Sequence, residues 1–289
     1  MKKCVCLMLI LVIGLISCGD DDKPSLPKLN KLTKITCKKN GADFPEYSLD
    51  IIYNQDGNVS KITTSKGTFN LIYTGNKISV IDASNVHTED FQMSGNVVVN
   101  KQEWAINEYV PNAEYVKNEY RYKYDRSNLT EADWIFQRPL EEGGYKKNEP
   151  VSLDKYTWTN GNVTVYQYLP RDEVSYTYGS QLCPANFPFR VLNTLRPITP
   201  DLVNPLNSLY GTSNRNLPES ASRYSLGESK NGAEYTFRYQ TVGDYITGMV
   251  ITEDIKSVEG LDAGQNTYEY SFAVSYTHLR AHETRHDLV

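Results

Sequence analysis

The chain has 289 residues, enough for one or two domains, and carries a formal net charge of −5 with 22% charged residues. Its basic residues are scattered and form no stripe, which argues against nucleic-acid binding by phosphate neutralisation. Cysteines and histidines show no credible zinc-type spacing, and no metal or cofactor is expected.

At the N-terminus, Lys2 and Lys3 precede an apolar run from Val5 to Ile16. A membrane-spanning helix needs about 20 such residues, so residues 1–17 read as a signal peptide. Leu15-Ile16-Ser17-Cys18 resembles the lipobox of bacterial lipoproteins, whose cysteine is acylated and begins the mature chain. That resemblance implies a membrane anchor at Cys18. Two or three acyl chains hold a protein far more firmly than the marginal grip of one. Gly19-Asp20-Asp21-Asp22-Lys23 resembles the acidic export signal of surface lipoproteins in Gram-negative gut anaerobes. It implies an outer-membrane location facing the cell exterior. Residues 18–30, with Pro24 and Pro27, read as an acidic tether and linker.

Residues 31–273 read as one antiparallel β domain. Tyrosine is abundant at 22 residues, and aromatic and β-branched side chains suit a pleated, half-buried surface. Period-two alternation recurs, most clearly at Tyr120-Arg121-Tyr122-Lys123-Tyr124, with aromatics on one face and cations on the other. Gly-Asn dipeptides at Gly57, Gly75, Gly95 and Gly161 supply the positive φ that tight hairpins demand. Each follows an aromatic (Tyr53, Tyr73, Phe91, Trp158) and precedes a β-branched residue. The pattern predicts a long all-β antiparallel meander that curls into an open or closed barrel-like sheet, because a flat one would expose long edges.

A proline-rich stretch from Pro184 to Pro218 breaks this pattern. It predicts a short helical insert near 190–211 in a crossover that plugs or caps the sheet, with Pro200 in a first turn and Gly211 as a stop. Cys37 and Cys183 are the remaining thiols of the mature chain, and spacing alone leaves both pairing and free thiols open.

His282-Glu283-Thr284-Arg285-His286 matches the H-E-x-x-H pattern of zinc proteases, with His278 upstream. However, the sequence from Val274 onward resembles a translated sequencing-library adapter. Residues 274–289 are therefore set aside as a non-native tail, with no metal site assigned. Carboxylate neighbours such as Glu141-Glu142 and Glu253-Asp254 would point to opposite faces of a strand, which does not suit a glycosidase pair. No catalytic set is expected.

The lipobox, the acidic start, the aromatic and Gly-Asn meander and Asn204-Pro205-Leu206-Asn207-Ser208-Leu209-Tyr210-Gly211 together resemble a family of gut-anaerobe surface lipoproteins. That family is classed as a domain of unknown function with a porin-like β fold. The resemblance implies a barrel with a short helical insert and transfers no activity. The expected function is a surface module binding a glycan, a peptide or a small apolar ligand, with Trp104, Trp134 and Trp158 as candidate contacts. The alternative is a structural or interaction subunit of an outer-membrane complex without a ligand of its own.

Overall fold

The computed structural model describes residues 30–43, 45–106, 115–139, 145–147, 152–169, 172–184, 187, 204–225, 232–256 and 263–276. Cys18, the signal peptide and most of the tether, residues 190–203 of the expected insert, Glu141-Glu142 and the three C-terminal histidines lie outside them.

The strands are β1 (Asn30–Lys39), β2 (Tyr47–Tyr53), β3 (Val59–Thr64), β4 (Gly67–Thr74), β5 (Lys77–Asp82) and β6 (His87–Ser94). They continue with β7 (Val97–Ile106), β8 (Tyr115–Asp125), β9 (Asn128–Pro139), β10 (Tyr145–Lys147), β11 (Ser152–Thr159) and β12 (Asn162–Leu169). The last are β13 (Asp172–Leu182), β14 (Asn216–Ser225), β15 (Ala233–Val242), β16 (Tyr245–Ile255) and β17 (Gly264–Tyr276). The short β10 and the start of β11 lie end to end along one edge of β9 and fill a single position. All other neighbours in sequence pair antiparallel. β1 also pairs with β17, Ile35 opposite Phe272, so the meander closes into a 16-strand barrel. Closure removes the exposed edges that an open meander would carry. The seam runs past the expected domain end at 273: Val274, Ser275 and Tyr276 oppose Leu32, Lys31 and Asn30.

The inner face is largely apolar, from Ile35 and Ile51 through Phe91 and Tyr166 to Met249 and Ile251. The outer face carries ion pairs, among them Lys34–Asp50 at 3.0 Å, Lys77–Asp90 at 2.7 Å and Lys123–Glu131 at 2.6 Å. A barrel crossing a bilayer needs the reverse, an apolar outer band around a polar lumen. Tyr120, Tyr122 and Tyr124 face inward opposite Trp134, Ala132 and Leu129, while Arg121 and Lys123 face outward.

A repeated device shapes one end of the barrel. At this end seven strands carry one extra residue near their start: Thr33, Ser60, Val99, Thr130, Thr164, Glu219 and Thr247; β6 carries one, Thr88, at the opposite end. Such bulges bend a strand and raise its twist, which helps a sheet curl shut. The carbonyl just before the bulge accepts a hydrogen bond from an aromatic on the following strand position. Tyr53 Oη donates to Leu32 O at 2.8 Å, Tyr73 Oη to Val59 O at 2.8 Å and Tyr124 Oη to Val98 O at 2.6 Å. Trp158 Nε1 donates to Leu129 O at 2.7 Å, Tyr178 Oη to Val163 O at 2.6 Å and Tyr239 Oη to Pro218 O at 2.9 Å. Where the bulged residue is Thr33, Ser60, Thr130, Thr164 or Thr247, its hydroxyl donates to a carbonyl on the preceding strand. Four bulges, at Thr33, Ser60, Thr130 and Thr164, are thus tied on both sides, and the aromatic bonds link one hairpin to the next. Tyr124→Phe leaves the Val98 carbonyl without this donor and is expected to cost about 1–2 kcal/mol in a urea titration. No measurable loss would remove the bond from the stabilising set.

The turns β2–β3, β4–β5, β6–β7, β8–β9, β11–β12 and β15–β16 gather at the bulged end, together with Asn30 and Tyr276. At the β11–β12 turn, Asn160 (φ 51°) and Gly161 (φ 81°) form the tight pair, while Asn162 belongs to the strand. The β13–β14 crossover enters the barrel from this end. Its described helix is a 3₁₀ segment, Pro205–Tyr210, with Asn204 as N-cap accepting from the Leu206 amide at 2.9 Å. Gly211 stops it at φ 89°, against the Ser127 carbonyl, where any side chain would collide. Thr212 N donates to Ser127 O, Arg215 N to Gly161 O and Val163 N to Asn214 Oδ1, so the crossover is pinned to two neighbouring turns.

Candidate functional site

The described part of the crossover does not fill the lumen. A cavity of about 650 Å³ remains between Leu206, Asn207 and Tyr210 of the 3₁₀ segment and the Ser65-Lys66 turn at the opposite end. That volume suits a small organic ligand, and a mixture of aromatic walls with a few placed polar groups is usual for such sites.

One of the cavity's charged groups comes from a position that the fold otherwise reserves for core residues. After each of these seven bulges, the residue three beyond the one that precedes the bulge points inward. In six strands it is buried and apolar or aromatic: Ile35, Ile62, Ala132, Tyr166, Ala221 and Met249. In β7 that residue is Lys101. Its Nζ lies 3.3 Å from Glu89 Oε1 and 3.7 Å from Glu103 Oε2, and 5.7 and 5.4 Å from the ring centroids of Phe91 and Tyr120. Burial works against the ammonium charge, but Glu89, then Tyr210, Glu103 and Tyr120, outweigh it and hold the proton more tightly than usual.

Asp154 of β11 lines the same cavity and is only 3% exposed. Its Oδ1 accepts a hydrogen bond from Tyr166 Oη at 3.3 Å. Burial pushes its carboxyl up to about 7, against the Tyr166 bond and aided by the charge of Asp133. Tyr122 and Tyr210 meet edge to face at 5.1 Å, and Tyr156 packs on Tyr166 at 5.2 Å. Burial holds the Tyr122 hydroxyl well above its usual range, with neighbouring tyrosines adding to the effect. The cavity therefore offers π faces, hydroxyl donors and acceptors, a doubly paired lysine and a buried carboxyl.

The three tryptophans part company. Trp104 borders the cavity, with Lys117 Nζ 5.6 Å from its ring centroid. Trp134 donates to Asn118 Oδ1 at 3.2 Å and packs edge to face on Phe136, away from the cavity lining. Trp158 ties the Leu129 bulge. Glu253 faces inward and receives Tyr235, Asn266 and Tyr268, whereas Asp254 accepts from Gln265. Cys37 and Cys183 are free thiols, and burial pushes them up to about 11 and about 12. Among the described residues no group of three or more His, Cys, Asp or Glu is placed to hold a metal. Lys101, Glu89, Glu103 and Asp154 were not candidates from the sequence. For Lys101 and Glu103 the signal is a charged residue at an inward position, visible only once the Val99 bulge is located, whereas Glu89 and Asp154 share a face with Phe91 and Tyr156 by plain alternation.

The family model described as Domain of unknown function (DUF5032) matches residues 19–275. The fold is similar to the crystal structure of a porin-like protein from Bacteroides uniformis, at TM-score 0.54 and 12% identity, over 84% of this chain and 96% of that one. It is similar to the same degree, TM-score 0.54 and 14% identity, to a porin-like protein from Bacteroides vulgatus, over 86% and 98% of the two chains. No curated protein matches.

Proposed function

Since the chain belongs to the DUF5032 family, whose description assigns no activity, we propose from its own geometry that it is a lipid-anchored surface protein that binds a small ligand inside its barrel. The observation that carries this reading is the lumenal cavity of about 650 Å³, walled by tyrosines and provided with buried charge. A barrel built only for scaffolding gains nothing from Lys101 where six sister strands bury core residues. The direction of β1 supports the anchoring part. Asn30 sits at the bulged end, so a tether from Cys18 joins the barrel there and leaves the Ser65-Lys66 mouth facing away from the membrane. The charged outer face agrees with a barrel carried on an acyl anchor.

Two measurements test the reading. Labelled palmitate is expected to enter the wild-type chain in its native host and not a Cys18→Ala variant; equal labelling of both would end the anchor. For the cavity, a small-molecule library is screened by thermal shift against wild type and Ala132→Phe, which puts a ring into the lumen. Hits on the wild type are expected to lose their effect in the variant. Hits that persist unchanged, or no hits, would count against lumenal binding.

A further inference from the structure

We propose that the lumenal ligand is an organic cation, a primary or quaternary ammonium on a small frame, with Asp154 as its counter-ion. This rests on the cavity reading above and goes on to name the chemical class. The cavity lining carries three carboxyls, Glu89, Glu103 and Asp154, against one half-buried cation, Lys101, with Lys66 at the mouth. Lys101 is already shared between the two glutamates. Asp154 forms no ion pair among the described residues and receives one hydrogen bond, on Oδ1. An anionic ligand would meet uncompensated carboxylate, in a setting where water screens little. A neutral polyol would find hydrogen-bond partners but would leave the Asp154 charge unmatched. An ammonium satisfies that carboxylate and gains the π faces of Tyr122, Tyr156 and Tyr210 around it.

The test is isothermal titration of the mature chain at pH 7.5 with three matched pairs. These are choline against 3,3-dimethyl-1-butanol, phenethylammonium against 3-phenyl-1-propanol, and glucosamine against glucose. At least one ammonium is expected to bind about tenfold more tightly than its neutral match, and Asp154→Asn to erase most of that difference. Equal binding of charged and neutral partners, a preference that survives Asp154→Asn, or binding by no ammonium in the panel overturns the proposal. Neutral compounds that bind wild type but not Ala132→Phe would sink the cation and leave the cavity reading standing.

Discussion

Asp154→Asn stabilises the chain, and the gain grows with pH. The folded carboxyl titrates near 7, against an ordinary value of 3.8, because burial penalises its charged form. The folded state therefore holds its proton more tightly than the unfolded chain. Stability from this residue is intact below about pH 4, falls as pH rises toward 7 and stays lowered above it. Three pH units of displacement correspond to roughly 4 kcal/mol at pH 8. Asparagine keeps an oxygen for the Tyr166 hydroxyl, 3.3 Å from Asp154 Oδ1, and never ionises. For a domain of this size the change amounts to roughly 10 °C in Tm at pH 8 and little at pH 4. Thermal melts of both proteins across that range are the measurement. A gain that does not vary with pH, or a loss at pH 8, would show that Asp154 is not the strained group described here. The strain has a use under the proposed function, since a carboxylate that destabilises the empty barrel is relieved when a cation arrives.

The all-β meander was legible because its signals are local. Alternation in Tyr120 to Tyr124 fixed one face of β8, and glycine at positive φ marks the turns at Gly75, Gly95 and Gly161. Closure was left open because the β1–β17 seam pairs Ile35 with Phe272, a contact that no local pattern announces. The site was hidden for a sharper reason. A bulge adds one residue and switches the face of everything after it. In β7, Val98 and Lys101 share the inner face although an unbroken strand would place them on opposite sides. The same step recurs in Leu32-Thr33-Lys34-Ile35, Val59-Ser60-Lys61-Ile62, Leu129-Thr130-Glu131-Ala132 and Ile246-Thr247-Gly248-Met249. Read as plain alternation these tetrads look irregular; read as bulges they are one repeated unit. The Gly-Asn repeat was only its visible edge. Tyr53, Tyr73 and Trp158 tie bulges, while Phe91 packs in the core, so the common element is the aromatic donor and the tied carbonyl.

Lys101→Met is expected to cost about 2–3 kcal/mol in urea denaturation at pH 7, less than removing one member of a fully buried ion cluster, because the Lys101, Glu89 and Glu103 side chains are only half-buried. Methionine fills a similar volume, so the loss is electrostatic in origin and not a cavity effect. What it leaves is Glu89 and Glu103 facing each other across the inner wall without the cation that lies 3.3 and 3.7 Å from them. The triple variant Lys101→Met, Glu89→Gln, Glu103→Gln removes the repulsion and should recover most of the stability, because a buried ion cluster is often no more stable than its uncharged replacement. Failure of the triple variant to recover would mean that Lys101 acts through packing on Phe91 and Tyr120 instead. A loss below 1 kcal/mol in the single variant would mean that water reaches the cluster freely. If recovery is seen, the three charges are dispensable for folding, and six sister strands already show that a core residue fits this place. Charge kept where folding does not need it points to what the lumen holds.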